Sequence, residues 1–331
     1  MQISNLKTGA WASALILFIG PAAQAATFDV NCGAMSGLTS INAALKALQS
    51  SELHGPATIN VSGACHENVL IKDIAGLTLN GINGASVTDT SNGAMETIGI
   101  YHGTGITING LTVNGGYDAI LAEATTAVLN GITAQGAVDG VGVYRSGTVV
   151  IVGGTLQNNQ YAGLGVFGGD VIAAGVASQR NWVGVIVDLA GRALYRPSDP
   201  SYEGVSTSTP AVISQNNAVG ILVQRNGQMQ CASCQITNNA SDGVTVDVGA
   251  TANFSRYAFH SGQWADPLSI TDNGGSGVSV GDLSSATFPG NPNNGIIQRN
   301  RGQFQIACNN PITSVTRRAL LFAAGATNCT N

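Results

Sequence analysis

Charge is scarce in this chain, so its positions carry information: Asp, Glu, Lys and Arg make up 9% of 331 residues, against a usual ~25%. Several of these residues recur at one phase of a repeated Gly-apolar-x-Val pattern. The residue after the pattern reads Glu123, Tyr144, Phe167, Asp188, Gln224, Asp247 and Gly281 down the chain, and the next position holds Arg145 and Arg225. Asp188 and Asp247 fall two blocks apart, with Gln224 between them. Carboxylates ~6.5–9.5 Å apart suit an inverting glycoside hydrolase and ~5.5 Å a retaining one. The same pair could hold Ca²⁺, which takes roughly six to eight oxygens, and Arg225 could neutralise a substrate carboxylate. Asp188, Asp247 and Arg225 are therefore the candidate catalytic residues, with Gln224 as a substrate contact. The competing reading is a solvated turn, in which Asp is a favoured residue.

A second concentration lies in two stretches that interrupt the repeat. Asp188 to Glu203 holds Tyr195, Arg196 and Tyr202, and Phe254 to Asp266 holds Tyr257, Phe259, His260 and Trp264. Aromatic faces with polar tips suit stacking on sugar rings, so Tyr195, Arg196, Tyr257, His260 and Trp264 are candidate substrate contacts. The alternative is that these aromatics pack the loops onto their scaffold. One block separates the insertions, which places them roughly 10 Å apart if blocks stack at strand spacing. Both leave after the second strand of the block, whereas the Asp column follows the first, so the spacing leaves open whether they share a cleft.

The elements that must position these residues follow from the repeat. Blocks begin at Gly140, Gly163, Gly184, Gly220, Gly243 and Gly277, giving a period near 22 with a dozen extra residues in two of them. Each block holds short apolar runs that alternate at period 2 and lacks the 3.6-residue period of helices. Strands this short are stable when each block is one turn of a solenoid and like strands stack in parallel sheets. A β-sandwich would show hairpin spacing, and a left-handed hexapeptide helix would show a six-residue repeat; neither is present. Asn158-Asn159, Asn216-Asn217 and Asn238-Asn239 recur at one corner, where Asn tolerates turn geometry and can bond its equivalent one coil on. Ile41, Ala44, Leu45 and Leu48 after Thr39-Ser40 predict a short amphipathic helix that caps the first coil.

Residues 1–25 have the features of a cleavable signal: Lys7, an apolar run from Ala12 to Ile19, and Ala23-Gln24-Ala25 before the cut. The remainder is expected to be a single all-β domain at 26–331, with an N-terminal cap at 26–57, coils at 58–305 and a C-terminal cap at 306–331. Secretion or a periplasmic location is the corresponding expectation, with no membrane span once the signal is removed. Six cysteines in an exported chain read as disulfides, and their clustering predicts Cys32–Cys65, Cys231–Cys234 and Cys308–Cys329. The tail Ala319-Leu320-Leu321-Phe322 would form a last strand or lid. A net charge of −5 excludes a strongly basic nucleic-acid binder. No resident cofactor is expected beyond the Ca²⁺ already named.

The Gly-apolar-x-Val blocks with Asn-Asn turns resemble right-handed parallel β-helix proteins of the pectin-lyase-like class, over about residues 59–305. The segment from Thr58 through Cys65-His66-Glu67-Asn68 to Leu77-Thr78-Leu79-Asn80-Gly81 is similar to their first coil. The resemblance implies a right-handed parallel β-helix and an extracellular or cell-surface polysaccharide as partner, either processed by a lyase or hydrolase or simply bound by an adhesive protein. The signatures of polygalacturonases, pectin methylesterases and the best-known pectate lyases are absent, so the resemblance transfers no catalytic residue.

Overall fold

The computed structural model describes residues 25–50, 56–288, 295–302, 305–308 and 314–316. The expected signal at 1–25, but for Ala25, lies outside them, as do Cys329 and the tail from Ala319 to Phe322. The described strands form three parallel sheets, of 12, 10 and 10 strands. Each coil contributes one strand to each sheet in a fixed order: sheet A (for example Ala57–Ser62), sheet B (Ala64–His66), then sheet C (Val69–Lys72). The chain is a right-handed parallel β-helix, as its repeat predicts. Among the described residues no helix is long and apolar enough to cross a membrane.

Strict alternation builds the core. Along sheet A the inward column runs Leu79, Ile108, Leu129, Ile151, Ala173, Tyr195, Cys231 and Phe254, each paired in register with the next. Tyr195 is 0% exposed in this column. Its in-register neighbours Ala173 and Cys231 are small, and its hydroxyl donates to the Val176 carbonyl at 3.0 Å. A buried Tyr hydroxyl needs such a partner. This corrects the sequence expectation: Arg192–Arg196 is a sheet A strand and not part of a loop, so the Tyr195 ring has no free face for a sugar.

At the corner from sheet B to sheet C, Asn159, Asn181, Asn216, Asn239, Asn273 and Asn300 form a buried ladder. Each amide Nδ2 donates to the next Oδ1 at 2.8–3.4 Å, and each Oδ1 after the first also accepts the preceding Asn backbone N–H. The ladder satisfies backbone groups that the corner would otherwise bury unpaired. Asn159, Asn216 and Asn239 thus do what the repeated Asn-Asn turns predicted.

The helix Ile41–Ser50 buries Ile41, Ala44, Leu45 and Leu48, the four residues its periodicity selected. Glu67 holds its N-terminus, accepting from Ser40 Oγ and from the backbone N–H groups of Ile41 and Asn42 at 2.7–3.0 Å. The strand Ala26–Asn31 precedes this helix and pairs in parallel with Ala57–Ser62 at the head of sheet A. Cys32–Cys65 and Cys231–Cys234 are disulfide-bonded, with Cα atoms 5.0 and 5.8 Å apart.

Candidate functional site

The predicted column exists. It is the last outward position of the sheet C strands: Lys72 pairs with Tyr101, Tyr101 with Glu123, Glu123 with Tyr144, and Phe167 with Asp188. The turn after it repeats a left-handed pair of residues, at Arg145-Ser146, Leu189-Ala190 and Arg225-Asn226. From this turn Arg145 reaches back one coil to Glu123 at 2.9 Å. Arg225 likewise reaches back to Asp188, with Nε 2.6 Å from Oδ1 and its terminal nitrogen bonded to Oδ2. Gln224 Nε2 donates to Asp188 Oδ2 at 2.9 Å, and the Leu189 N–H to Oδ1 at 2.7 Å. Burial opposes ionisation of Asp188, but these donors outweigh it and hold the carboxyl below its usual range. Asp188, Gln224 and Arg225 are thus brought together as a clamp between adjacent coils. Asp247 lies one coil further on and accepts from the Val248 and Asp282 backbone N–H groups at 2.8 and 3.1 Å.

The outer face of sheet C carries more than the column. Gly99, Gly142 and Gly165 stand at the adjacent outward position, and aromatic rings lie down on them. A Cβ on Gly142 would come within 2.5 Å of the Tyr144 ring, and one on Gly165 within 2.5 Å of Phe167. Only glycine lets these rings reach the sheet. Tyr144 and Phe167 stack with centroids 4.9 Å apart. Beside them lie acids that sequence reasoning missed. Asp118 and Asp139 pair across adjacent coils, and the same imagined Gly142 Cβ would lie 2.7 Å from Asp118 Oδ1. Asp118 is 0% exposed, and neither of its oxygens has a hydrogen-bond partner. Desolvation, then Asp139 and Glu96, push its carboxyl up to about 8. Desolvation raises Asp139 to about 6, against the pull of the Ala162 N–H that donates to it at 2.9 Å. Glu96 accepts from the Tyr101 hydroxyl at 2.7 Å.

An aromatic rank flanks this face where sheet B passes to sheet C. Tyr117, Val138, Tyr161 and Trp182 occupy successive coils, tied through the N–H of Val138 to Tyr117 O, of Tyr161 to Val138 O and of Val183 to Tyr161 O at 2.8–3.0 Å. Tyr117, Tyr161 and Trp182 are 53%, 36% and 52% exposed. Burial raises the Tyr161 hydroxyl, which also feels Asp139, Asp188 and Arg225. The signal for this cluster was in the sequence: Asp118, Asp139 and Asp242 each stand immediately before the Ala or Gly that opens a block.

The two insertions occupy a different corner. Residues 197–210 and 256–267 both run between a sheet A strand and a sheet B strand, whereas the Asp column ends at the corner from sheet C to sheet A. The insertions share one corner, as their place in the repeat implied, and they also touch each other, which the spacing did not foresee. The His260 N–H donates to Asp199 Oδ2 at 2.8 Å, with His260 Nδ1 3.0 Å from the same oxygen, and Tyr202 stacks on the His260 ring at 5.0 Å. Burial opposes ionisation of Asp199, and bonds from Ser201 and His260 outweigh it and lower its carboxyl. Arg196 is spent internally: it is buried, paired with Glu203, bonded to the Pro197 carbonyl and set over the Tyr257 ring at 5.0 Å. Trp264 remains 59% exposed, with Arg256 over its ring at 5.6 Å. It lines a cavity of about 240 Å³ with Phe259, Ser233, Gln235 and Asp266. The Cys231–Cys234 disulfide spans this corner in the intervening coil. Among the described residues, the one grouping of three potential metal ligands is Cys32, Cys65 and Glu67. Two of these form a disulfide and the third caps a helix, so it offers no cation site; among the described residues neither Asp188 nor Asp247 belongs to such a grouping.

A right-handed parallel β-helix with an acid-bearing, aromatic-flanked sheet face is the class these features define. The fold is similar to that of the mannuronan C-5 epimerase AlgE4 A-module of Azotobacter vinelandii, with a TM-score of 0.51 and 13% identity over 92% of this chain and all of that one. It is also similar to ORF18 of Geobacillus virus E2, with a TM-score of 0.51 and 12% identity over 87% of this chain and 60% of that one. The AlgE6 A-module of the same bacterium aligns at a TM-score of 0.44 and 13% identity over 87% and 92% of the two chains. No family model matches the sequence, and no curated protein matches it.

Proposed function

We propose that this protein binds or processes an extracellular polysaccharide along the outer face of sheet C. The observation that carries this reading is the rank of exposed rings, Tyr117, Tyr161 and Trp182, beside a face holding Asp118, Asp139 and the Asp188–Arg225 clamp. Surface rings in register offer flat apolar platforms at multiples of ~4.8 Å along the axis, and the rigid coils fix them before any ligand arrives. Gln224 and Arg225 edge the same face, with Asp247 one coil beyond. The insertion corner, with Tyr257, His260 and Trp264, is a second contact region on a separate edge. The protein-fold relative named as a mannuronan epimerase acts on a polysaccharide, which agrees with this reading. An export signal and disulfides would put the protein where such polymers are found.

The test is retention on immobilised polysaccharides, with turnover read in parallel as new reducing ends and as unsaturated-uronate absorbance. Trp182→Ala is expected to weaken retention at least about fivefold, the loss of ~1 kcal/mol of ring contact, with the circular-dichroism spectrum unchanged. Unaltered retention would remove the sheet C face from the reading. If the retained polymer is also cleaved, alanine at Asp188 or Asp247 should abolish cleavage; wild-type rates in both would take the acid–base role from that pair.

A further inference from the structure

Resting on that reading, the geometry points to the class of polymer: the sheet C face takes an uncharged, hydroxyl-rich glycan segment and discriminates against polyuronates. Two independent features converge on this. One is the charge balance. Of the cations on the face, Arg145 is neutralised by Glu123 and Arg225 by Asp188, and Lys72 stands at its first coil, while the acids Glu96 and Asp139 have no cationic partner among the described residues. A ligand carboxylate laid here meets like charge across partly buried protein, where such repulsion is weakly screened. The other is Asp118, wholly buried under the face with both oxygens unpartnered. A buried polar group without a partner costs free energy until something supplies one, and a sugar hydroxyl both donates and accepts. Asp118 rests on Gly142 beside the Tyr144 ring, and glycine beneath leaves that ring free of any Cβ. The proposed mode of binding has the Tyr144 side chain turn aside to open the carboxyl to a sugar lying on the face. In the closed arrangement the carboxyl is held protonated near neutrality by its apolar cover and by Asp139, so an arriving sugar meets it as an O–H and not as a charge.

The experiment uses polymers paired by backbone, one member charged and the other neutralised: polygalacturonate against its methyl ester, alginate against its propylene glycol ester, and carboxymethyl against hydroxyethyl cellulose. Affinity electrophoresis of the whole protein at low and high salt gives the retention of each. The expected result is stronger retention of the uncharged member of at least one pair, by about tenfold or more at low salt, corresponding to ~1.4 kcal/mol. The gap should narrow at high salt and in the Glu96→Gln/Asp139→Asn variant. Both substitutions keep the side-chain oxygens that accept from Tyr101 and from the Ala162 N–H. Equal or stronger retention of the charged member overturns the inference and leaves the glycan-binding reading standing. Retention of no member of any pair overturns both. A preference that persists in the double variant also overturns the inference, since charge on this face would then not be its cause.

Discussion

Asp118 is an acid cut off from water, 0% exposed and with neither carboxyl oxygen hydrogen-bonded. Its carboxyl is raised to about 8 in the folded chain against 3.8 for the ordinary group, so the native state binds a proton that the unfolded state has released. Stability from this site is fully present below the unfolded value and is lost as pH rises through about 8. Asp118→Asn keeps the shape and removes the titration. It should raise the melting temperature at pH 8.5 and change it little at pH 4, as differential scanning calorimetry would show; equal shifts at both would mean that burial there is harmless to the ionised form. The sequence made the residues of the clamp legible though not their pairing, and of this acid it showed only the position before the block. Asp188 was read from the column after Val, where Arg225 follows in the same register. Asp118 sits before the block, and nothing in a string of residues shows that Gly142 and Tyr144 of the next coil will seal it. Tyr195 failed in the opposite sense: counted with an insertion, it belongs to a strand whose small neighbours Ala173 and Cys231 admit it to the core.

At the level of elements, the coils owe their corner to one amide per turn. Asn216 accepts from the Asn181 backbone N–H and amide, and donates to Asn239. Asn216→Ala leaves the buried Asn181 backbone N–H without its acceptor, while the Asn181 amide keeps Leu156 O and Ser178 Oγ, and at ~1–3 kcal/mol for such a group it should cost about 2 kcal/mol in urea unfolding. A loss below about 1 kcal/mol would mean that water replaces the amide. This ladder was readable because Asn-Asn recurred at the coil period. Asn181 and Asn273 escaped that reading because their neighbours, Arg180 and Asp272, break the dipeptide while the backbone keeps its left-handed turn at those neighbours.

At the scale of the molecule, the described strands pair only with those of adjacent coils, so stability is close to a sum of coil and interface terms. Removing residues 163–183, one uninterrupted coil, would set Val141 against Val185 and Asn159 against Asn216 in the register they already keep with the excised turn. The shortened chain should remain soluble, with the β-sheet circular dichroism of the parent. Aggregation on expression would show that the coils are less interchangeable than their pairing implies. The period of 22 carried nearly all of this architecture in the sequence. Its two exceptions, the insertions, marked where the repeat no longer dictates what the chain does.

Those insertions are joined through Asp199, which is bonded to His260, 61 residues away. The coil between them takes no part in the bond and only sets the distance it spans. Neither loop is therefore free to drift alone: a change that shifts Asp199 is inherited as a defect in its distant partner, and selection sees the two as one trait. Homologues that lose one loop should lose the other, and a graft that moves this corner to another solenoid must carry both together with the disulfide-bearing turn between them.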